Sequence, residues 1–380
     1  MGSSSEVYLD YNATVPIRPE VSEAVTEGLN QIGNPSSVHT FGRRTRTLVE
    51  SARKSVADLV QVEPAQVIFT SGGTEANNLA LSGSRRTMGC TAVAVSAVEH
   101  PSVLESEPTP NVIPVDENGI IKLSELEVIL ESVQAPALIS VMLANNETGV
   151  LQPINDAVRI ARHHNAYVHC DAVQALGKVS LSFDELGADF VSVSSHKIGG
   201  LQGAGALICA KGIEIDPILV GGGQERNKRS GTENVIGIIA FGCAAAIVRS
   251  NDDEIRKISC LTSQLESEIR EKVPTACVYG STVGRLPNTS CIGFDLVKSE
   301  DQLMYLDLAG IAVGAGSACS SGKIAPSHVL LAMGCTETAA RSAIRISIGY
   351  QTTQEDIHRF IEVWTELVFS KIADSRVTMP

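Results

Sequence analysis

The chain has 380 residues, 43% of them hydrophobic, and a formal net charge of −13. That length and apolar share suffice for one large domain and a smaller one. The acidic balance excludes a nucleic-acid partner held by bulk electrostatics, and no apolar run reaches the length of a membrane span.

The opening "MGSSSEVYLDY" has neither a basic segment nor an apolar one, so it does not read as a signal peptide. The nine cysteines are odd in number and no two are spaced C-x-x-C. This speaks against a metal site or a thioredoxin-type motif, and for a reducing, cytoplasmic compartment. Cys209, Cys243 and Cys291 lie in apolar runs and read as core packing.

"VIFT" (67–70) predicts a buried strand that runs into the glycine turn and helix start of "SGGTEANNLAL". Strand, glycine turn and helix start present free backbone N–H groups to a phosphate, with Gly73 and Thr74 at the helix N-terminus. The text is neither a Walker A motif nor G-x-G-x-x-G. "TAVAVSAVEH" (91–100) predicts a strand ending at His100, a residue able to stack on a ring and shuttle protons, or simply structural. "ALISVMLANNETG" (137–149) leads into helical text. The next strand, "AYVHCDAV" (166–173), carries Asp171 near its end with no cation beside it. A buried carboxylate needs a partner. The protonated ring nitrogen of pyridoxal phosphate would be one, with Gln174 in reach of the ring's phenolic oxygen; the plainer alternative is a helix cap. "DFVSVSSHKIGG" (189–200) sets Lys197 after His196 at a strand end. It is either a Schiff-base amine, reactive only when desolvated or beside another cation, or a solvated rim charge.

"GALICAK" (205–211) closes this series. Continuous apolar strands separated by helices predict a parallel sheet covered on both faces, with ligands at the strand ends. After residue 250 a charged helix is predicted from about Asp253 to Lys272, then strands near 276–280, 289–294 and 343–348. The expected division is a large domain over 16–250 and a smaller α+β domain from 1–15 and 251–380. In "VGAGSACSSGKIAPSHVL" (313–330), Cys319 sits among Gly314, Gly316 and Gly322, where packing is poor and backbone freedom high. A core cysteine has apolar neighbours instead.

"YLDYNAT", "NPSSVHTFGR", "FTSGGTEANN", "VEHPSV", "NNETG", "DAVQALGK", "SSHKIGG", "RSGTEN", "GSACSSG" and "RISIG" follow one another in this order. Together they resemble the NifS/IscS group of cysteine desulfurases, in the class V aminotransferase family, over about Val7 to Glu366. The resemblance implies an α/β protein of the pyridoxal-phosphate-dependent transferase fold type I, with a mostly parallel central sheet in the large domain and a smaller α+β C-terminal domain. It implies that Lys197 forms the Schiff base with pyridoxal 5'-phosphate. Asp171 and Gln174 then meet the ring nitrogen and hydroxyl, His100 stacks on the ring, and Asn146 touches cofactor and substrate. Gly73, Thr74, Ser194 and His196 hold the phosphate, with Thr232 supplied by the second subunit of a homodimer. Arg345 binds the substrate carboxylate and Asn12 lines the same pocket. Cys319, on a moving loop, takes sulfur from L-cysteine as a persulfide, leaving L-alanine. The sulfur then passes to an acceptor or scaffold protein for iron–sulfur cluster assembly. A selenocysteine lyase or another lyase of this fold is the alternative within the class. A non-catalytic sulfur carrier would keep Cys319 but need neither Lys197 nor Asp171.

Overall fold

The computed structural model describes residues 6–316 and 325–377. It contains a seven-stranded and a five-stranded sheet. In chain order the strands are β1 (Val7–Leu9), β2 (Val67–Thr70), β3 (Ala92–Ser96), β4 (Asn111–Ile113), β5 (Ala137–Ser140), β6 (Ala166–Asp171), β7 (Phe190–Ser194) and β8 (Gly205–Cys209). They continue with β9 (Cys277–Tyr279), β10 (Thr289–Gly293), β11 (Ile311–Ala315) and β12 (Ala343–Ser347). The larger sheet has the order β2-β8-β7-β6-β5-β3-β4 and the smaller β1-β11-β12-β10-β9.

The larger sheet is parallel from β7 to β4, as the apolar runs predict. β8 departs from that pattern and pairs antiparallel with both β7 and β2. Only residues 195–204 join β7 to β8. That is too short for a helical crossover, so the chain has to return antiparallel. Successive residues of β8 enter opposite cores: Ala206 and Ile208 pack with Val168 and Val191, Leu207 and Cys209 with Val95 and Leu138. Burial on both faces is why these strands read as unbroken apolar runs.

The smaller sheet packs one face against helices Asp252–Lys272 and Gln354–Val377, through Ile344, Ile346, Leu265, Phe360 and the fully buried Trp364. Helix Asp252–Lys272 starts on Asp252, Asp253 and Glu254 and ends on Arg270 and Lys272, charges that match its dipole. β1 lies parallel to β11, with Val7 opposite Ile311. Reading Gly314 as slack is corrected here. It lies inside β11, where an added Cβ would sit 2.7 Å from Arg345 Nη2 and 2.8 Å from Asp10 Oδ1. The glycine is there for close approach, not movement.

Candidate active site

The C-terminal ends of β2, β6 and β7, with the segments that follow β3 and β5, open onto one cavity of about 220 Å³. Gly73, Thr74, His100, Asn146, Asp171, Gln174, Ser194, His196 and Lys197 all line it. Gly73 starts a helix after β2, and a Cβ there would meet Val173 Cγ2 at 2.8 Å. Only glycine lets the helix start come this close to the strand end.

Asp171 closes β6 and is almost fully buried. Its Oδ1 accepts from the Val173 backbone N–H at 2.9 Å and its Oδ2 from Asn77 Nδ2 at 2.8 Å. Neither donor is charged, and no ion pair to Asp171 occurs among the described residues. Behind it, His169 is fully buried, bridges Ser140 and Ser192 at 2.8 and 2.9 Å, and is pushed down to about 4 by burial. Glu99 is also fully buried. Burial, then the Asp171 charge, raise its carboxyl well above the usual range, while Oε1 accepts from Met142 N.

Lys197 donates to the carbonyl oxygens of Asn12 and Ala13, at 2.5 and 2.9 Å. Burial first, and the Arg345 charge second, bring its amine down to about 8. Next to it, His196 touches Thr14 Oγ1 at 3.2 Å and is pushed to about 4, again by burial first. His100 is held below its usual value by desolvation. Its Nδ1 accepts from Ser102 N at 3.1 Å, so the neutral ring carries its proton on Nε2.

Arg345 is on β12, outside the cavity wall but joined to it: Nη1 donates to Asn146 O at 3.1 Å, and Nη2 to Asp10 Oδ1 at 2.6 Å. Its Nε is buried without a partner. Asn12 is fully buried. Its Nδ2 donates to Asn146 O and Thr289 Oγ1, and its Oδ1 accepts from Lys178 and Asn288. All four hydrogen-bonding positions of that amide are therefore taken by protein groups. Thr232 is exposed and does not line this cavity. Cys319 lies outside the described residues. The described residues on either side of that segment meet at one place: a Cβ on Gly316 would lie 3.0 Å from Ser327 Cβ and 3.1 Å from Glu147 Oε2. Ser327 Oγ donates to Glu147, next to Asn146, and His328 Nε2 donates to the carbonyl of Glu99, next to His100.

Three residues at the site went unassigned from sequence. Asn77 is four positions after Gly73, one helical turn, which puts both on the cavity side. Ser102 contacts His100 and Asn77. Lys178 ends the quoted "DAVQALGK" and is as buried as Arg345. Among the described residues no group of three or more His, Cys, Asp and Glu side chains could hold a metal ion.

A family model described as Aminotransferase class-V matches residues 7–360. A cysteine desulfurase IscS of Dictyoglomus turgidum is 41% identical over 376 residues, covering 96% of this chain and 94% of its own. A cysteine desulfurase of Cereibacter sphaeroides is 40% identical, with 95% of each chain covered. A solved NifS-like protein from Rickettsia africae superposes with a TM-score of 0.90 at 37% identity, over 96% of this chain and 100% of that one.

Proposed function

The chain belongs to the class-V aminotransferase family, and on that premise we propose that it is a pyridoxal-phosphate-dependent cysteine desulfurase that converts L-cysteine to L-alanine. The observation that carries this reading is the pairing, in one cavity, of a buried Asp171 lacking a cation and a Lys197 amine brought down to about 8.

The residues present fit the cofactor. A cationic ring nitrogen would supply the charge partner that Asp171 lacks. The Ser194 hydroxyl is buried without a partner on the cavity wall, and Gly73 leaves room at a helix start, as a phosphate requires. Bound there, pyridoxal phosphate supplies an electrophilic carbonyl and an electron-accepting ring. Asp171, held by two donors, would pair with that ring nitrogen. With a value of about 8, roughly a tenth of Lys197 is neutral at pH 7, several hundred times the neutral fraction of an unperturbed lysine. It serves as nucleophile and then as base toward the substrate Cα proton. Arg345, bonded to the carbonyl of the cavity-lining Asn146, is the guanidinium assigned to the substrate carboxylate. His100, neutral with its proton on Nε2, moves protons at the sulfur.

Cys319 receives the sulfur in this reading. It is three residues past Gly316 in the sequence, and Gly316 adjoins Glu147 beside the cavity. The C–S bond of L-cysteine breaks and an S–S bond forms at Cys319. The carbon skeleton keeps the electron pair and takes the proton, so a thiol and cysteine become a persulfide and alanine. Thr232 is assigned to the cavity of a second subunit, supported by its exposure and its absence from its own cavity wall. The separate five-stranded sheet, with its own apolar cluster, supports the division into 16–250 and 1–15 plus 251–380. Iron–sulfur cluster assembly in the cytoplasm, through an acceptor protein, is the destination we assign, in line with relatives named IscS.

Incubating the holoprotein with L-cysteine tests this. Alanine should appear, and the peptide holding Cys319 should gain one sulfur. Alanine with that peptide unchanged, or a colourless protein after pyridoxal phosphate is added, would sink the reading.

A further inference from the structure

Lys178 is a buried amine with no acidic partner among the described residues and no part in the chemistry above. Its Nζ donates to Gln174 Oε1 at 2.9 Å and to Asn12 Oδ1 at 3.1 Å. Gln174 in turn donates through Nε2 to the Asn12 backbone carbonyl at 2.9 Å. That same carbonyl accepts from Lys197. All three residues of this ring are nearly or fully buried.

We propose that Lys178 is a positioning residue: it fixes the Gln174 side-chain amide so that its nitrogen, not its oxygen, is presented to the cavity oxygen of the cofactor. The inference rests on the cofactor reading above and deepens it.

The contacts leave Gln174 one orientation. Reversing the amide would take the acceptor away from one of the two Lys178 N–H bonds. Its oxygen would face the Asn12 carbonyl, acceptor against acceptor. The second N–H of Gln174 is then left for the cavity that the residue lines. Lys178 does not need its charge for this. Burial, with the Lys197 and Arg345 charges, holds the amine well below its usual range. A neutral amine has two N–H bonds, and two oxygens receive them. Asn12 does not depend on Lys178 for its own place, since Asn288, Thr289 and Asn146 also hold it.

The test follows the visible absorption of the holoprotein against pH, without substrate. A donor on the ring's phenolic oxygen draws electron density and lowers the pH at which the chromophore loses its proton. Lys178→Met removes the donor that anchors Gln174 Oε1 and leaves only the Asn12 carbonyl to hold the amide, which should raise that midpoint by about one unit. Gln174→Leu should raise it similarly, and Lys178→Met should then add nothing in the Gln174→Leu background. An equal shift in both backgrounds would mean that Lys178 acts through its charge, and no shift in Lys178→Met with a normal shift in Gln174→Leu would mean that Gln174 orients itself; either result overturns the proposal. If Lys178→Met does not fold, Lys178→Gln keeps a donor in place and should leave the midpoint within a few tenths of wild type, a full shift being the overturning result. A wild-type protein that never develops the band would instead refute the cofactor reading, which keeps the two failures distinct.

Discussion

Asn77 donates its carboxamide nitrogen to Asp171 Oδ2 at 2.8 Å, from a helix that begins only four residues earlier at the cavity wall. The same nitrogen donates to Ser102 Oγ, while Asn77 Oδ1 is buried without a partner. One amide thus couples the Gly73 helix start to the aspartate and to the loop of His100. A hydrogen bond to a charged group is worth about 1.5–3 kcal/mol. Asn77→Ala should therefore weaken pyridoxal phosphate binding by about ten- to a hundredfold, read by titrating the apoprotein with the cofactor. Binding unchanged within twofold would show that Asp171 needs no such support.

Lys197 links function to stability with a definite sign. Its amine sits near 8 when folded and near 10.5 when unfolded. Between those values the unfolded chain binds more protons, so this group makes the apoprotein more stable as pH rises from about 8 to 10.5. Below 8 its full cost is present. At about 1.36 kcal/mol per unit, discounted for partial exposure, that is about 1–3 kcal/mol. Lys197→Met should raise apoprotein stability at pH 7 by that amount, flatten its alkaline rise, and abolish the visible band. Denaturant melts at pH 7 and 9.5 compare the two proteins.

Arg345 has one fork nitrogen on Asp10, one on the Asn146 carbonyl, and its Nε free. Lysine cannot reproduce that planar set. Arg345→Lys should lower kcat/KM for L-cysteine about a hundredfold, mostly through KM, while the absorption of bound cofactor stays. A KM equal to wild type would remove Arg345 from the substrate's carboxylate.

Arg53 and Glu225 form a bidentate pair at 2.7 and 2.9 Å, with side chains only 4% and 3% exposed. Glu225 also accepts from Phe69 N on strand β2, and the Arg53 guanidinium lies over the Phe69 ring, 4.6 Å from its centroid. Glu225, Arg226 and Asn227 all have left-handed backbones, at φ 45, 57 and 66°. The pair holds down a segment that leads to Thr232. Glu225→Ala leaves Arg53 buried and unpaired and should cost about 3–5 kcal/mol, measured by chemical unfolding. A loss below 1 kcal/mol would mean that water reaches the guanidinium.

Much of this was legible in the chain, and the reasons differ by residue. Strands such as β5 and β8 send apolar side chains into cores on both faces, so their runs stand out without any partner in view. Asp171 and Lys197 each had a plain alternative, a helix cap and a rim charge, and the order of the ten motifs around them decided between the readings. β11 was hidden because Gly314 looks like loop text; the demand for glycine comes from Arg345, on the neighbouring strand. The direction of β8 lay in the length of its connection, not in its composition. Asn77 and Lys178 were missed because their meaning is a distance to Asp171 or Gln174. Asn12 was placed near the pocket by resemblance, but only coordinates reveal that its amide is fully engaged by other protein groups.

That engagement bears on how the protein is made. Asn12 precedes Ser347 by 335 positions, yet its backbone N–H bonds to that residue's hydroxyl. Its carbonyl meanwhile anchors the Lys197 amine. During synthesis, then, the nucleophile has no finished seat until Ser347 has emerged, and a nascent chain shorter than that offers the reactive aldehyde of the free vitamin no completed trap.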